Sequence, residues 1–313
     1  AHTSRESQIA RGILDVPYTL QYAGTMPYLY SMWQTALWGL GLPLGLVAWA
    51  GLGATLLAWL RRGGWEETLL LAWTVPYLVV VGFLQVRYLR YMLPLVPVLC
   101  IMAARMLAGG RLRRKAVLVW TLIAATGLFT MSFLTIYAGP HSWIDASEWI
   151  YRRVPAGSTL AVEEWDALLP LPAELDGLFR RADEFELRTL TLYMEPDDVA
   201  KWSRIASHLS ASDYAVVASR RLYGSISRLP ERYPVANRYH ELLFGGHLGF
   251  ELVAGFERGP PWLNPRLPPL PDAAPRLFHP DESFVVYDHP RALLFQNTGH
   301  LTAEELLERL RAP

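Results

Sequence analysis

Apolar residues crowd the chain between Trp38 and Ala138, in four runs nearly free of charge, and after Gly139 they thin into the mixed patterns of a folded α/β domain. Runs of about 17 to 23 residues are what a hydrocarbon core of about 30 Å demands at a rise of about 1.5 Å per residue. The pattern predicts spans at about 38–60, 68–84, 92–107 and 116–138. Arg61 and Arg62 end the first, a Gly63-Gly64 turn follows, and a basic turn from Gly109 to Lys115 precedes the last. Between the second and third spans lies a short charged hinge, Arg87-Tyr88-Leu89-Arg90-Tyr91-Met92-Leu93-Pro94. Gly39, Gly41, Gly45, Gly51 and Gly53 offer the first span small surfaces for close helix packing.

Upstream, residues 1–37 are amphipathic and rich in Tyr18, Tyr22, Tyr28, Tyr30 and Trp33, which reads as an outward interfacial segment leading into the bilayer. Downstream, residues 139–313 read as an α/β domain. Its expected elements are a helix from Trp143, strands at Thr159–Glu163 and Leu187–Tyr193, and a helix from Pro196-Asp197-Asp198 to about Leu209. A buried-type strand follows at Tyr214–Ala218, giving a βαβ rhythm, with more strands at Phe250–Phe256, Ser283–Tyr287 and Ala292–Gln296. A last helix opens on Thr302 with Glu305 three residues on, the spacing of a capping box. The proline-rich stretch between Gly259 and Pro280 reads as an extended surface arm. The expected fold class is therefore an α-helical transmembrane bundle of about four spans followed by an extracytoplasmic α/β domain.

Charge refines this picture. Arg61 and Arg62 fall on one side with Arg111, Arg113, Arg114 and Lys115, and only Arg87 and Arg90 on the other. The positive-inside rule makes the first group cytoplasmic, so the aromatic segment, the hinge and the C-terminal domain face outward from the cell membrane. An outward start at Ala1-His2-Thr3 with no apolar signal segment leads us to expect further sequence upstream. Arg105, near the inner end of the third span, is expected to snorkel to the interface. A formal net charge of zero, with no basic block in the domain, excludes the footprint of a nucleic-acid binder. Cys100 is the single cysteine, so no internal disulfide or cysteine metal cluster can form.

Candidate chemistry gathers at three places. In the hinge, Arg87 and Arg90 with Tyr88 and Tyr91 can bind a lipid phosphate, because guanidinium forks onto phosphate oxygens and the phenol adds a donor. The same four residues also suit a plain interfacial anchor. Glu163, Glu164 and Asp166 follow a predicted strand, where carboxylates can act as acid and base, bind an acceptor or hold a divalent cation; a solvated turn is the competing reading. Asp15 is a lone carboxylate among tyrosines and a candidate catalytic residue. His240 and His247 are seven apart, the wrong spacing for two imidazoles on one helical face, and no metal site is expected from them. Walker, Gly-x-Ser-x-Gly and Gly-x-Gly-x-x-Gly signatures are missing.

The run from Arg87 through Pro94 and on to Leu95-Val96-Pro97 resembles the Arg-Tyr-x-x-Pro-x-x-Pro-type segment in late helices of GT-C class, lipid-carrier-dependent glycosyltransferases, including the protein mannosyltransferase-like group. Ala146-Ser147-Glu148-Trp149-Ile150, Val154-Pro155-Ala156-Gly157-Ser158 and Tyr287-Asp288-His289-Pro290 are similar to stretches of bacterial glycosyltransferase-like membrane proteins. The resemblance implies inverting transfer of a sugar from a polyprenyl-phosphate donor to a lipid, glycan or protein acceptor at the outer face. It also implies a catalytic carboxylate in a first outward loop upstream of Ala1, so that the isolated chain is expected to be inactive. The competing reading is a non-enzymatic, membrane-anchored domain that binds a glycan or a protein.

Overall fold

The computed structural model describes residues 5, 7–9, 16–109, 112–195 and 197–311, with the backbone alone for 112–115. The chain divides into two units, Gly24–Leu134 with the extreme N-terminus, and Val16–Ala23 with Thr135–Pro313. In order, α1 (Pro17–Leu20) and α2 (Leu29–Gln34) precede a π-turn at Thr35–Gly39, then come α3 (Leu42–Arg62) and α4 (Trp65–Phe83). A 3-10 segment (Leu89–Leu95) leads into α5 (Val96–Ala108), and α6 (Leu112–Leu134) ends the first unit.

Four helical segments in this unit are long and apolar enough to cross a membrane. Leu57, Val80, Ile101 and Leu128 are all exposed on them, a surface suited to lipid rather than water. Between the helices the packing relies on two of the predicted glycines. A Cβ on Gly51 would stand 2.5 Å from the Ala103 nitrogen on α5, and one on Gly45 would stand 2.3 Å from Ala36, whereas one on Gly53 would meet nothing. Leu40, Ala48, Val81, Met92, Leu95 and Leu99 close the core behind them. Arg105 pairs with two carboxylates in the first turn of α4, Glu66 at 2.5 Å and Glu67 at 2.7 Å.

The second unit continues with α7 (Ser142–Arg153), β1 (Thr159–Glu163), the hairpin β2 (Ala173–Leu175) and β3 (Leu178–Arg180), β4 (Glu186–Leu190), α8 (Val199–Ser210) and β5 (Tyr214–Val217). It ends with α9 (Arg221–Ile226), α10 (Pro234–Phe244), β6 (Phe250–Phe256), α11 (Glu282–Val285), β7 (Ala292–Asn297) and α12 (Ala303–Arg311). Five strands form one mixed sheet in the order β4-β1-β5-β7-β6, with β1 parallel to β4 and β5, and β7 antiparallel to β5 and β6.

Period-two alternation gives the sheet two buried faces. Ala161, Ala215, Val217, Leu293 and Phe295 meet side chains of α8, α9, α10 and α12. Leu160, Val162, Val216, Ala292 and Leu294 meet Ala146 and Ile150 of α7.

Several expectations change here. Val16–Ala23, taken with the interfacial segment, belongs to the second unit: Leu20 joins its core, Gln21 Oε1 accepts from the Glu282 N–H at 2.8 Å, and the Tyr22 hydroxyl donates to Asp281 at 2.9 Å. Ser283–Tyr287 is not a strand, because Asp281 caps the Ser283 N–H at 2.9 Å and starts the short helix α11. The second strand stops at Leu190, since the Tyr193 and Met194 amides turn to Glu164 instead of continuing a ladder. The proline-rich arm is pinned by two buried leucines, Leu263 and Leu267. The capping box at Thr302 and Glu305 forms as expected, with bonds of 2.8 and 3.2 Å.

Candidate functional site

In the first unit, the chain leaves α4 in extended form and places Val86, Arg87 and Tyr88 in buried positions before the 3-10 turn begins. Proline spacing sets the local chemistry. Pro94 has no N–H for the Tyr91 carbonyl three residues back, and Pro97 has none for that of Pro94. Those two carbonyls accept from α4 instead: the Tyr77 hydroxyl reaches Tyr91 O at 2.7 Å, and Trp73 Nε1 reaches Pro94 O at 3.4 Å. Trp73 and Tyr77 stack on one another, with centroids 6.1 Å apart, and so brace the hinge from one side.

The two arginines lie in different environments. Arg87 is 4% exposed, and its Nη1 donates to the Thr25 hydroxyl at 2.6 Å. Arg90 is exposed, its guanidinium 4.2 Å above the Tyr88 ring and 5.8 Å from that of Tyr91; these two rings meet edge-on at 5.3 Å. The hinge therefore presents one desolvated and one solvated guanidinium, the latter held by cation–π contact. Asp15 lies outside the described residues.

In the second unit, β1 has parallel neighbours on both sides, and the chain passes from β1 to β4 on one side before crossing to β5 on the other. Carboxyl ends of strands at such a switch point are where open α/β sheets bind ligands. Here Glu163, Glu164 and Asp166 leave β1, and Ser219, Arg220 and Arg221 leave β5.

The three carboxylates diverge. Glu163 continues the β1 alternation toward α10, where its Oε1 lies 3.0 Å from His240 Nε2, with both residues buried. Glu164 accepts from the amides of Tyr193 and Met194, the latter at 2.9 Å, and burial pushes its pKa above the ordinary carboxyl value against the pull of those two hydrogen bonds. Asp166 accepts from the Ser219 hydroxyl and meets Arg221 Nη1 at 3.2 Å; burial raises its carboxyl to about 6 against the pull of both partners. Trp165 between them takes a left-handed φ of 73°, which turns successive side chains to different neighbours.

Arg221 bridges onward to Glu282, Nε to Oε1, at 2.7 Å. Burial lifts Glu282 to about 7, with Arg221 opposing. Gln21, Arg220, Arg228 and His279 are among the residues that line a niche of about 20 Å³ beside this pair, room for about one water molecule. Among the described residues no group of three or more His, Cys, Asp and Glu is placed to hold a metal ion.

Residue reasoning missed Ser219, Arg221, Glu282 and His240 as partners of the three carboxylates. Two arginines directly after a buried strand were the legible signal for Arg221, whereas nothing local marks Glu282, more than sixty residues further on. No family model, curated protein or solved structure matches the chain.

Proposed function

We propose that this chain supplies the lipid-phosphate site of a multi-pass membrane glycosyltransferase of the GT-C type, which moves a sugar from a polyprenyl-phosphate donor to an acceptor at the outer face of the cell membrane. The observation that carries the reading is Arg87, a permanently charged side chain only 4% exposed in a unit built of four long apolar helices. Burying such a charge among apolar helices is expensive, and it is found chiefly where the charge binds or moves something. Arg90, exposed and steadied on Tyr88, offers a second guanidinium three residues on.

The chemistry suits that pair. When the anomeric C–O bond of a sugar phosphate breaks, the phosphate departs with the bonding electrons and gains charge on its oxygens. Fixed guanidinium groups favour this leaving group more than the intact donor. Bracing of the hinge carbonyls by Tyr77 and Trp73 would hold the site in place before the donor arrives. In this proposal the α/β unit is extracytoplasmic and accessory.

A specific observation also favours a second reading, a membrane-anchored binding unit without chemistry of its own. Glu163, Glu164 and Asp166 are each engaged by protein partners, so they form no open acid and base pair. A photoreactive polyprenyl phosphate, crosslinked to the chain in lipid nanodiscs and mapped by peptide mass spectrometry, separates the two. Labelling concentrated between Gly82 and Pro97 supports the lipid-phosphate site; labelling spread evenly over the apolar helices removes it.

A further inference from the structure

Strand β6 is an edge strand, paired only with β7, and its register is interrupted once. Phe250 faces Asn297 and Leu252 faces Phe295; the register then shifts, and Ala254 faces Leu294, Gly255 faces Leu293 and Phe256 faces Ala292. Directly paired residues share a face of the sheet. Leu293 and Phe295 belong to the core under α10, and Ala292 and Leu294 to the core under α7. The bulge at Val253 therefore carries Ala254 and Phe256 to the α7 side and leaves Gly255 on the α10 side.

The consequence is a gap in that face. Where an uninterrupted strand would place a side chain against Leu293, β6 offers only the hydrogen of Gly255. A half-open groove of about 260 Å³ results, with Leu252, Gly255, Leu293 and Phe295 as its floor, Phe244 of α10 on its border and Arg266 from the proline-rich arm also lining it. Its charges are unequal. Arg291 is paired with Glu257, Nε to Oε2, at 2.6 Å, whereas the exposed Arg266 guanidinium has no hydrogen-bond or ion-pair partner among the described residues.

We propose that this groove binds a small amphipathic anion, an apolar body of one or two rings that carries a single phosphate or carboxylate. The volume sits just under the usual range of about 300–1,000 Å³ for ligand pockets, which limits the body to that size. The floor is hydrocarbon and aromatic, and two arginines against one glutamate leave one positive charge to be met. The planar fork of Arg266 donates two parallel hydrogen bonds to either oxyanion. This site lies within the α/β unit and stands apart from the hinge reading.

The test uses the full chain in nanodiscs and calorimetric titration with 1-naphthyl phosphate and 1-naphthoate, with inorganic phosphate as the ring-free control. We expect saturable one-to-one binding of at least one naphthyl anion and at least tenfold weaker binding of inorganic phosphate; the stronger naphthyl ligand tells which oxyanion is preferred. Arg266→Ala should weaken binding at least tenfold, and Gly255→Leu, which fills the floor, should abolish it. Gly255 lies on the edge strand and Arg266 is exposed on the arm, so an unchanged melting temperature verifies the fold of each variant. Arg87→Ala should leave this binding intact, which separates it from the hinge. Absence of saturable binding by either naphthyl anion, or binding that either groove variant leaves unchanged, overturns the proposal.

Discussion

The Tyr77 hydroxyl donates to the Tyr91 carbonyl at 2.7 Å, supplying the hydrogen bond that Pro94 cannot. Replacing Tyr77 with Phe keeps the ring and removes the donor. An unsatisfied, partly buried carbonyl costs about 1–3 kcal/mol. We expect a lower melting temperature for Tyr77→Phe in nanodiscs and faster amide exchange in Leu89–Leu95, read by mass spectrometry. Exchange equal to that of the parent chain would show that the brace does not hold the hinge.

Helix contact between α3 and α5 depends on Gly51, where a Cβ would collide with the Ala103 backbone. Gly51→Leu should therefore destabilise the apolar unit by at least the 1–3 kcal/mol typical of overpacking. Gly53→Leu is the control, because its position opens onto free space and should be nearly neutral. Denaturant titration in mixed micelles compares the two, and equal stabilities would contradict this packing.

Much of this architecture was legible in residue patterns, and the exceptions have physical causes. Hydropathy located the four apolar helices, because lipid-facing surfaces need continuous apolar runs, and short apolar runs located β1, β5 and β7. That Val16–Ala23 groups with the second unit was not legible, because Tyr22 and Gln21 satisfy partners about 260 residues away, which no local signal records. Ser283–Tyr287 looked like a strand from its β-branched and aromatic content, yet Asp281 at the cap decided for helix. The carboxylates after β1 were found, but their divergence depends on the positive φ at Trp165, a backbone state that tryptophan does not advertise. In the hinge, the arginines and prolines were readable, and the donors that brace them from α4 were not.

Glu163 and His240 form a buried pair between β1 and α10, 3.0 Å apart. Leaving a buried hydrogen-bonding group without its partner typically costs about 1–3 kcal/mol. Glu163→Ala should approach that loss, and Glu163→Gln, which still accepts a hydrogen bond from His240, should lose less. Chemical denaturation followed by tryptophan fluorescence distinguishes them; equal losses would mean that the carboxylate serves only as volume.

Burial holds Glu282 protonated up to about pH 7, against an ordinary value of 4.5. The folded chain then binds a proton that the unfolded chain has released. The stability this contributes is full below about pH 4.5 and is lost as pH rises through about 7. His289 acts in the opposite sense, since burial lowers it from 6.5 to about 4 and its contribution is lost as pH falls below 6.5. From pH 6.5 to 8 Glu282 therefore dominates, with a smaller contribution of the same sign from Asp166, which burial raises to about 6, and stability should fall there by about 1 kcal/mol. Glu282→Gln should flatten that decline. An unchanged slope in the variant would place the titration elsewhere.

The most direct test of the lipid-phosphate site is the affinity of the chain for farnesyl phosphate in nanodiscs, measured beside farnesol as the phosphate-free control. We predict that Arg87→Ala and Arg90→Ala each weaken farnesyl phosphate binding at least tenfold, that Arg87→Lys retains part of it, and that farnesol binding is unaffected. Farnesyl phosphate affinity unchanged in both alanine variants, or equal for phosphate and alcohol in the parent chain, would contradict the role assigned to Arg87 and Arg90.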